Sequence, residues 1–310
     1  HNVAHSFPTR RSSDLLLATI AALVWLARKN DTFRAPWRQV MASRVGATTA
    51  LILALYAGIG LLDSLHYVER LPEQPGRSAQ YSGEVLSALD ALLTPLRINV
   101  EKTYSAPLAT HLYAKDTVRG ADGVERRDYP PLEHPGAHWL GTDKVGQDVL
   151  YLSLKSIRTG LLIGTLTTLV MLPFALVLGI AAGYFGGRID DAIQYLYTTL
   201  NSIPGVLLIA AAVLVVQVQI EAHAELFDTA AARSDVRLLA LCAILGVTGW
   251  TGLARLLRAE ALKLRELEFV QAARAFGVTD ARILLRHLLP NVMHLVLITV
   301  VIDFSGLVLA

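Results

Sequence analysis

Residues Gly160–Tyr184 read GLLIGTLTTLVMLPFALVLGIAAGY, without one charged side chain. A helix needs roughly 20 apolar residues, within about 17–25, to cross the hydrocarbon core of a bilayer. In lipid only a helix satisfies its backbone hydrogen bonds within one segment, so this run predicts a transmembrane helix. Four further runs read the same way: Val45–Leu62, Ala192–Gln217, Leu238–Leu256 and Asn291–Ala310, interrupted by a formal charge only at Arg255 and Asp303. A shorter run, Leu16–Ala27, is expected to be a partial transmembrane helix.

The composition agrees. Of the 310 residues, 53% are hydrophobic before the 22 glycines are counted, 17% are charged, and the mean hydropathy is +0.45. A soluble domain sits near about 45–50% apolar, glycine included, and about 25% charged, so an ordinary soluble enzyme is excluded. A net charge of +2, from 28 basic and 26 acidic residues, excludes the massed basic face of a nucleic-acid binder. The single cysteine, Cys242, excludes an intramolecular disulfide and a multi-cysteine metal site, and its apolar neighbours predict a packed small side chain. His5–Leu15 (HSFPTRRSSDL) resembles a translated sequencing adapter, so residues 1–15 are set aside. The run that reaches Ala310 without a polar stop predicts truncation at the C-terminus.

Basic residues in short flanks mark the cytoplasmic side. The 28–44 connector carries Arg28, Lys29, Arg34, Arg38 and Arg44 against Asp31, and the connector before Asn291 carries Arg258, Lys263, Arg265, Arg274, Arg282 and Arg286. Both are predicted cytoplasmic, and the four crossings between them make the assignments consistent. Segment 63–158, mixed in charge and rich in proline, then lies outside, with some helix such as Glu84–Leu93. The expected fold is an all-α integral membrane protein, a polytopic helical bundle whose core, 159–310, contains helices 160–184, 192–217, 238–256 and 291–310.

The connector Glu266–Pro290, ELEFVQAARAFGVTDARILLRHLLP, has the pattern helix, break, helix. Phe269, Val270, Ala273 and Phe276 recur at helical spacing on one face. Gly277 supplies the left-handed residue that ends a helix. Thr279 or Asp280 is suited to cap a second helix carrying Ile283, Leu284 and Leu288, and Pro290 marks the start of the next span. An amphipathic element of this kind lies in lipid headgroups or inserts into a partner's groove, and the small Ala272 and Ala273 beside the phenylalanines favour the groove.

These residues resemble a known family. Gln271-Ala272-Ala273, Gly277 and Leu289-Pro290, preceded by Glu268 and Phe269, are similar to the EAA loop of ABC importer permeases, with Gln271 where the first Glu is usual and His287 where an aliphatic is usual. The ending Arg286–Asn291 resembles the dipeptide, oligopeptide and nickel subgroup. Gly141-Thr142-Asp143 with Gly146 and Asp148 resembles the signature that subgroup carries just outside its second core helix, with Gln147 where Arg is expected. Trp250, Arg255 and Arg258 resemble the helix leading into the EAA loop.

The resemblance implies a non-catalytic permease subunit in the bacterial inner membrane, with a cytoplasmic coupling helix over Glu268–Phe276. Its implied partners are a second homologous permease, two cytoplasmic ATPase subunits that carry ATP and magnesium, an extracytoplasmic substrate-binding protein and the lipid bilayer, with no nucleic acid. The cargo would be a peptide, nickel or a related small solute. This chain is expected to bind no cofactor, since Gly136–Lys144 departs from a phosphate-binding loop at Thr142-Asp143.

His134 and His138 have metal-ligand spacing, but Pro135 lies between them and no third ligand is adjacent, so a plain turn is expected. Asp143 and Asp148 are expected to cap or orient the following helix. Asp303, an ionisable group within a span, is expected to face the pore or the bundle interior. Arg255 and Arg258 are expected to reach the interface, or to pair with Glu266 or Glu268. The alternative function is an ion-coupled secondary transporter using Asp303, which would require two repeated halves with broken helices at mid-membrane. No such repeat is present in the sequence. A membrane enzyme lacks a nucleophile–base or metal constellation.

Overall fold

The structure, a computed structural model, describes residues 39–70, 81–119, 125–223 and 230–309. The expected adapter segment 1–15, the partial span 16–27 and most of the 28–44 connector lie outside these residues. The chain is mainly helical, and five of its helical segments are long and apolar enough to cross a membrane: Arg44–Ser64, Val149–Phe185, Gly205–Ala222, Arg233–Arg265 and Asp280–Leu309. The described residues divide into two compact units, one within 39–159 and one within 160–309.

In the first unit, α1 (Arg44–Ser64) is capped by Ser43, whose hydroxyl accepts from the Gly46 N–H at 3.0 Å. Beyond α1 come an antiparallel hairpin, β1 (His66–Arg70) and β2 (Tyr81–Ser87), two short helices, α2 (Ala88–Leu92) and α3 (Thr94–Ile98), and a second hairpin, β3 (Asp116–Arg119) and β4 (Glu125–Asp128). The helix expected over 84–93 begins only at Ala88, because Ser87 forms a capping box with Asp90. The Asp90 N–H donates to the Ser87 hydroxyl at 3.1 Å and the Ser87 N–H donates to the Asp90 carboxylate at 2.8 Å, which fixes the first turn. The residues before this cap pair as a strand.

Asp63 and Asp90 are buried, and a buried carboxylate must be paired. Lys155 supplies the partner for both, at 3.2 Å from Asp63 and 2.8 Å from Asp90. The Ser87 hydroxyl donates to Asp63 at 2.8 Å, and the Tyr151 hydroxyl donates to Asp90 at 2.7 Å. Burial pushes the Asp90 carboxyl up, but Lys155, the Ser87 N–H and Tyr151 outweigh it and hold the group at about 2.

Lys155 and Tyr151 stand on α4 (Val149–Phe185), whose 37 residues rise about 55 Å, more than the roughly 30 Å hydrocarbon core. Its first turns belong to the first unit. Asp148 caps it, accepting from the Tyr151 N–H at 3.1 Å.

In the second unit, the apolar run 192–217 is not one helix. α5 (Gly187–Ser202) ends before Pro204, and α6 (Gly205–Ala222) starts after it. Ile203, preceding a proline, is driven out of the helical region to φ −93°, ψ 128°. Only α6 qualifies as a span; α5 is amphipathic. α7 (Ala230–Gly249) and α8 (Thr251–Arg265) meet at the buried Trp250, so the segment expected as 238–256 extends at both ends. α9 (Glu268–Ala275) and α10 (Asp280–Ile283) follow. A π-helical turn, Leu284–Leu288, then joins α10 to α11 (Leu289–Leu309). Pro290 therefore sits inside a continuous helical path. The preceding wide turn relieves the clash its ring would make with the carbonyl four residues back.

The core of this unit joins Met171, Ala175, Ile180 and Tyr184 of α4 to Leu253, Leu257 and Ala261 of α8 and to Val292 and Val296 of α11. Lipid tails are as apolar as leucine, so helix association here depends on close packing of small residues. A Cβ at Gly179 would lie 2.7 Å from the Ala254 carbonyl oxygen, and one at Gly183 would lie 2.5 Å from that of Arg258. These glycines bring α4 and α8 into backbone contact. Cys242 is buried in α7.

Candidate functional site

Connector 266–290 is anchored from beneath and bare on top. Val270, Ile283 and Leu288 are buried and join the core, with Ala273, Leu284 and Leu289 packed against it. The apolar residues of α9 therefore do not form one face: Val270 and Ala273 point into the bundle, while Phe269 is 42% and Phe276 87% exposed. Glu268, Gln271, Ala272 and Pro290 are exposed around them. Phe269 lies 6.1 Å from the His287 ring, which ties α9 to the π-helical turn.

Gly277 ends α9 at φ +75°. Its N–H donates to the Arg274 carbonyl at 3.0 Å, and the Val278 N–H donates to the Ala273 carbonyl at 3.0 Å. This pair of bonds is the Schellman closure of a helix. Nothing lies within 4 Å of a Cβ at 277, so the glycine serves conformation rather than space. Thr279 takes the N-cap position of α10 without a side-chain bond, and Asp280 is not a cap either. Its carboxylate accepts from the Tyr184 hydroxyl at 2.6 Å.

Several polar contacts here have no sequence signal, because their partners are distant in the chain. Arg274 lies over the Tyr184 ring, 4.9 Å from its centroid, so α9 and α10 both grip the end of α4 through one tyrosine. Arg265 donates to the Gly183 carbonyl at 3.2 Å. Arg258 forms a two-pronged ion pair with Asp190, both bonds 2.6 Å, in place of the expected pairing with Glu266 or Glu268. Hydrogen bonding from Arg258 holds the Asp190 carboxyl below its usual range despite its burial. Arg255 stands over the Tyr197 ring. Gln271 folds back, its amide donating to the Arg265 carbonyl at 3.4 Å and to the Glu266 carboxylate at 3.3 Å. A glutamate at 271 would set two carboxylates against each other.

The stretch Gly141–Asp148 forms a knot in the first unit. Gly141 and Gly146 have φ +79° and +78°, and a Cβ at either would collide with the carbonyl oxygen of Ser105 or Glu101, at 2.3 and 1.7 Å. Thr142 donates to the Thr103 carbonyl at 2.7 Å. Asp143 accepts from the N–H groups of Val145 and Gln147, each at 2.9 Å. Asp148 meets the buried His138 at 2.9 Å as well as capping α4.

Glu101 faces His138 on the other side at 3.5 Å and accepts from the N–H groups of Glu133 and His134. Burial pushes the Glu101 carboxyl up, but these donors and His138 outweigh it and hold it low. Among the described residues no three His, Cys, Asp or Glu side chains are grouped to hold a metal ion. Asp303 is half-buried on α11, and among the described residues its carboxylate has neither a hydrogen bond nor an ion pair.

Residues 175–310 match the family described as binding-protein-dependent transport system inner membrane component. The chain is 31% identical over 180 residues to the oligopeptide transport system permease protein OppC of Mycobacterium bovis, covering 58% of this chain and 56% of that protein. It is 28% identical over 173 residues to the dipeptide transport system permease protein DppC of Bacillus subtilis, 56% of this chain and 48% of that one. It is 32% identical over 176 residues to the inner membrane ABC transporter permease protein YejE of Escherichia coli, 56% of this chain and 46% of that one. The chain thus spans about half the length of the curated relatives it matches.

Proposed function

We propose that this chain is the membrane permease subunit of an ATP-driven importer, carrying peptides or related small solutes across the bacterial inner membrane without catalysing a reaction itself. The observation that carries the reading is the pair Phe269 and Phe276, exposed on a short helix and at its C-cap, with the helix's other side locked into the bundle by Val270. An apolar pair on a rigid lever is suited to seat in a protein groove and pass its movement to the helices behind it. On the proposed topology the connector 266–290 faces the cytoplasm, its last turns from Asp280 leading into the spanning segment Asp280–Leu309, and 63–158 is extracytoplasmic. ATP and magnesium reside on two partner ATPase subunits, a second homologous permease completes the pathway, and a binding protein delivers the solute. The 141–148 knot fixes the outer end of α4, and Asp303 faces the pathway or the bundle interior.

Uptake of a labelled dipeptide into vesicles containing the assembled transporter tests the reading. Uptake should require ATP inside the cytoplasmic compartment and survive collapse of ion gradients. Uptake that follows an imposed proton or sodium gradient without ATP would overturn it.

A further inference from the structure

α4 has a second concave side besides the one that α8 fills. A groove of about 550 Å³ runs along it, with Pro173, Leu176 and Val177 on one wall and Ala281, Leu285 and Leu289 on the other. The described residues leave it open, with Val177 66% and Leu285 68% exposed. Its walls are entirely apolar.

Length, wall chemistry and flanking charge argue for one occupant. From Leu172 to Phe185, the ends of its α4 wall, the helix rises about 20 Å, comparable to one leaflet of a roughly 30 Å hydrocarbon core. A neighbouring transmembrane helix seats on small residues. Gly179 and Gly183 of α4 are already filled by α8, at Ala254 and Ala261, and apart from Ala181 and Ala281 the groove is walled mainly by branched side chains.

The contact of Tyr184 with Asp280 brings the Phe185 end of the groove beside the start of α10, and three exposed arginines adjoin its lining residues in the chain. Arg188 follows Phe185 by three residues, Arg282 follows Ala281, and Arg286 follows Leu285. Among the described residues none of the three makes an ion pair or hydrogen bond, whereas Arg258, Arg265 and Arg274 are all engaged. The acids nearby do not offset them. Asp190 is held by Arg258, Asp280 by Tyr184, and Asp191 makes no pair with Arg188.

We propose that this groove binds an anionic phospholipid, one acyl chain lying between α4 and the 281–289 stretch and the headgroup phosphate held by Arg188, Arg282 and Arg286. The site requires only that the chain lie in a membrane, so it stands or falls separately from the transport reading.

The test places a Val177→Trp reporter in the full chain, in nanodiscs of phosphatidylcholine containing a small fraction of brominated phosphatidylglycerol or brominated phosphatidylcholine. Brominated phosphatidylglycerol should quench the reporter at concentrations at least about fivefold lower, the factor expected of one arginine near an anionic headgroup. Arg282→Gln with Arg286→Gln should abolish the preference, and Lys at both positions should keep it. Equal quenching by the two lipids would overturn the site, and so would no quenching by either, which would mean that protein fills the groove. Native mass spectrometry of the chain without the reporter gives a second readout. Phosphatidylglycerol adducts should survive there and disappear in the double Gln variant, and adducts unchanged by that variant would overturn the site.

Discussion

Gly277 shows how far one residue could be read. A helix that must stop and turn needs a residue at positive φ, and 277 is found at +75° with both closing hydrogen bonds made. Gly277→Val should cost about 1–3 kcal/mol locally, since a β-branched residue is strained there, and Gly277→Asn should cost less. Coupled uptake should fall sharply in the valine variant while its level in the membrane holds. Wild-type uptake by that variant would remove the turn from the coupling path. Gln271 is the opposite case, because its partner depends on how α8 turns into α9. Gln271→Glu faces Glu266 across about the present 3.3 Å and should weaken the turn, and Glu266→Gln in the same chain should restore it. A double-mutant cycle on thermal stability of the purified chain checks this, and additive effects would contradict the contact.

Among the elements, each of the five apolar runs overlaps a helix long and apolar enough to cross a membrane, but apolar length did not set the helix ends. It failed where a single residue reset the backbone: Pro204 divides 192–217, and the Ser87–Asp90 box starts α2 at Ala88. The close contact of the α4 glycines with α8 came only from the fold. Gly183→Leu should therefore cost at least about 1–3 kcal/mol by overpacking and lower the yield of folded protein, whereas Gly187→Ala, in open space, should cost less despite its positive φ. Size-exclusion profiles in detergent distinguish them, and equal yields would contradict the α4–α8 contact.

The Asp63–Asp90–Lys155 cluster carries an acid dependence. The Asp90 carboxyl is lowered on folding from 3.8 to about 2, so its contribution is complete above the unfolded-state value and is lost as pH falls through the folded one. Hydrogen exchange in 81–98 should rise between about pH 4 and 2, and Asp90→Asn should flatten that rise. A variant with the same acid profile as the parent would rule out Asp90 as the source.

For the molecule as a whole, composition and five apolar segments made the membrane bundle legible, and the connector motif carried the family resemblance. The polar architecture of 63–148 was not, because hairpins and knots are set by contacts such as Glu101 with the 133–134 backbone, thirty residues away. The division of labour on α9, inward Val270 against outward Phe269 and Phe276, was also hidden, since periodicity groups apolar residues without saying which of them the bundle has room to bury.

The proposed function stands on the outward pair, Phe269 and Phe276, docking on an ATPase. Its most direct test is a photo-crosslinking residue at position 276 in the assembled transporter, with one at Leu285 as the membrane-side control. Position 276 should give an adduct to a phosphate-loop ATPase subunit, its yield changing with bound nucleotide, and position 285 should give adducts to lipid. Adducts from 276 to lipid alone, or none to an ATPase in any nucleotide state, would contradict it.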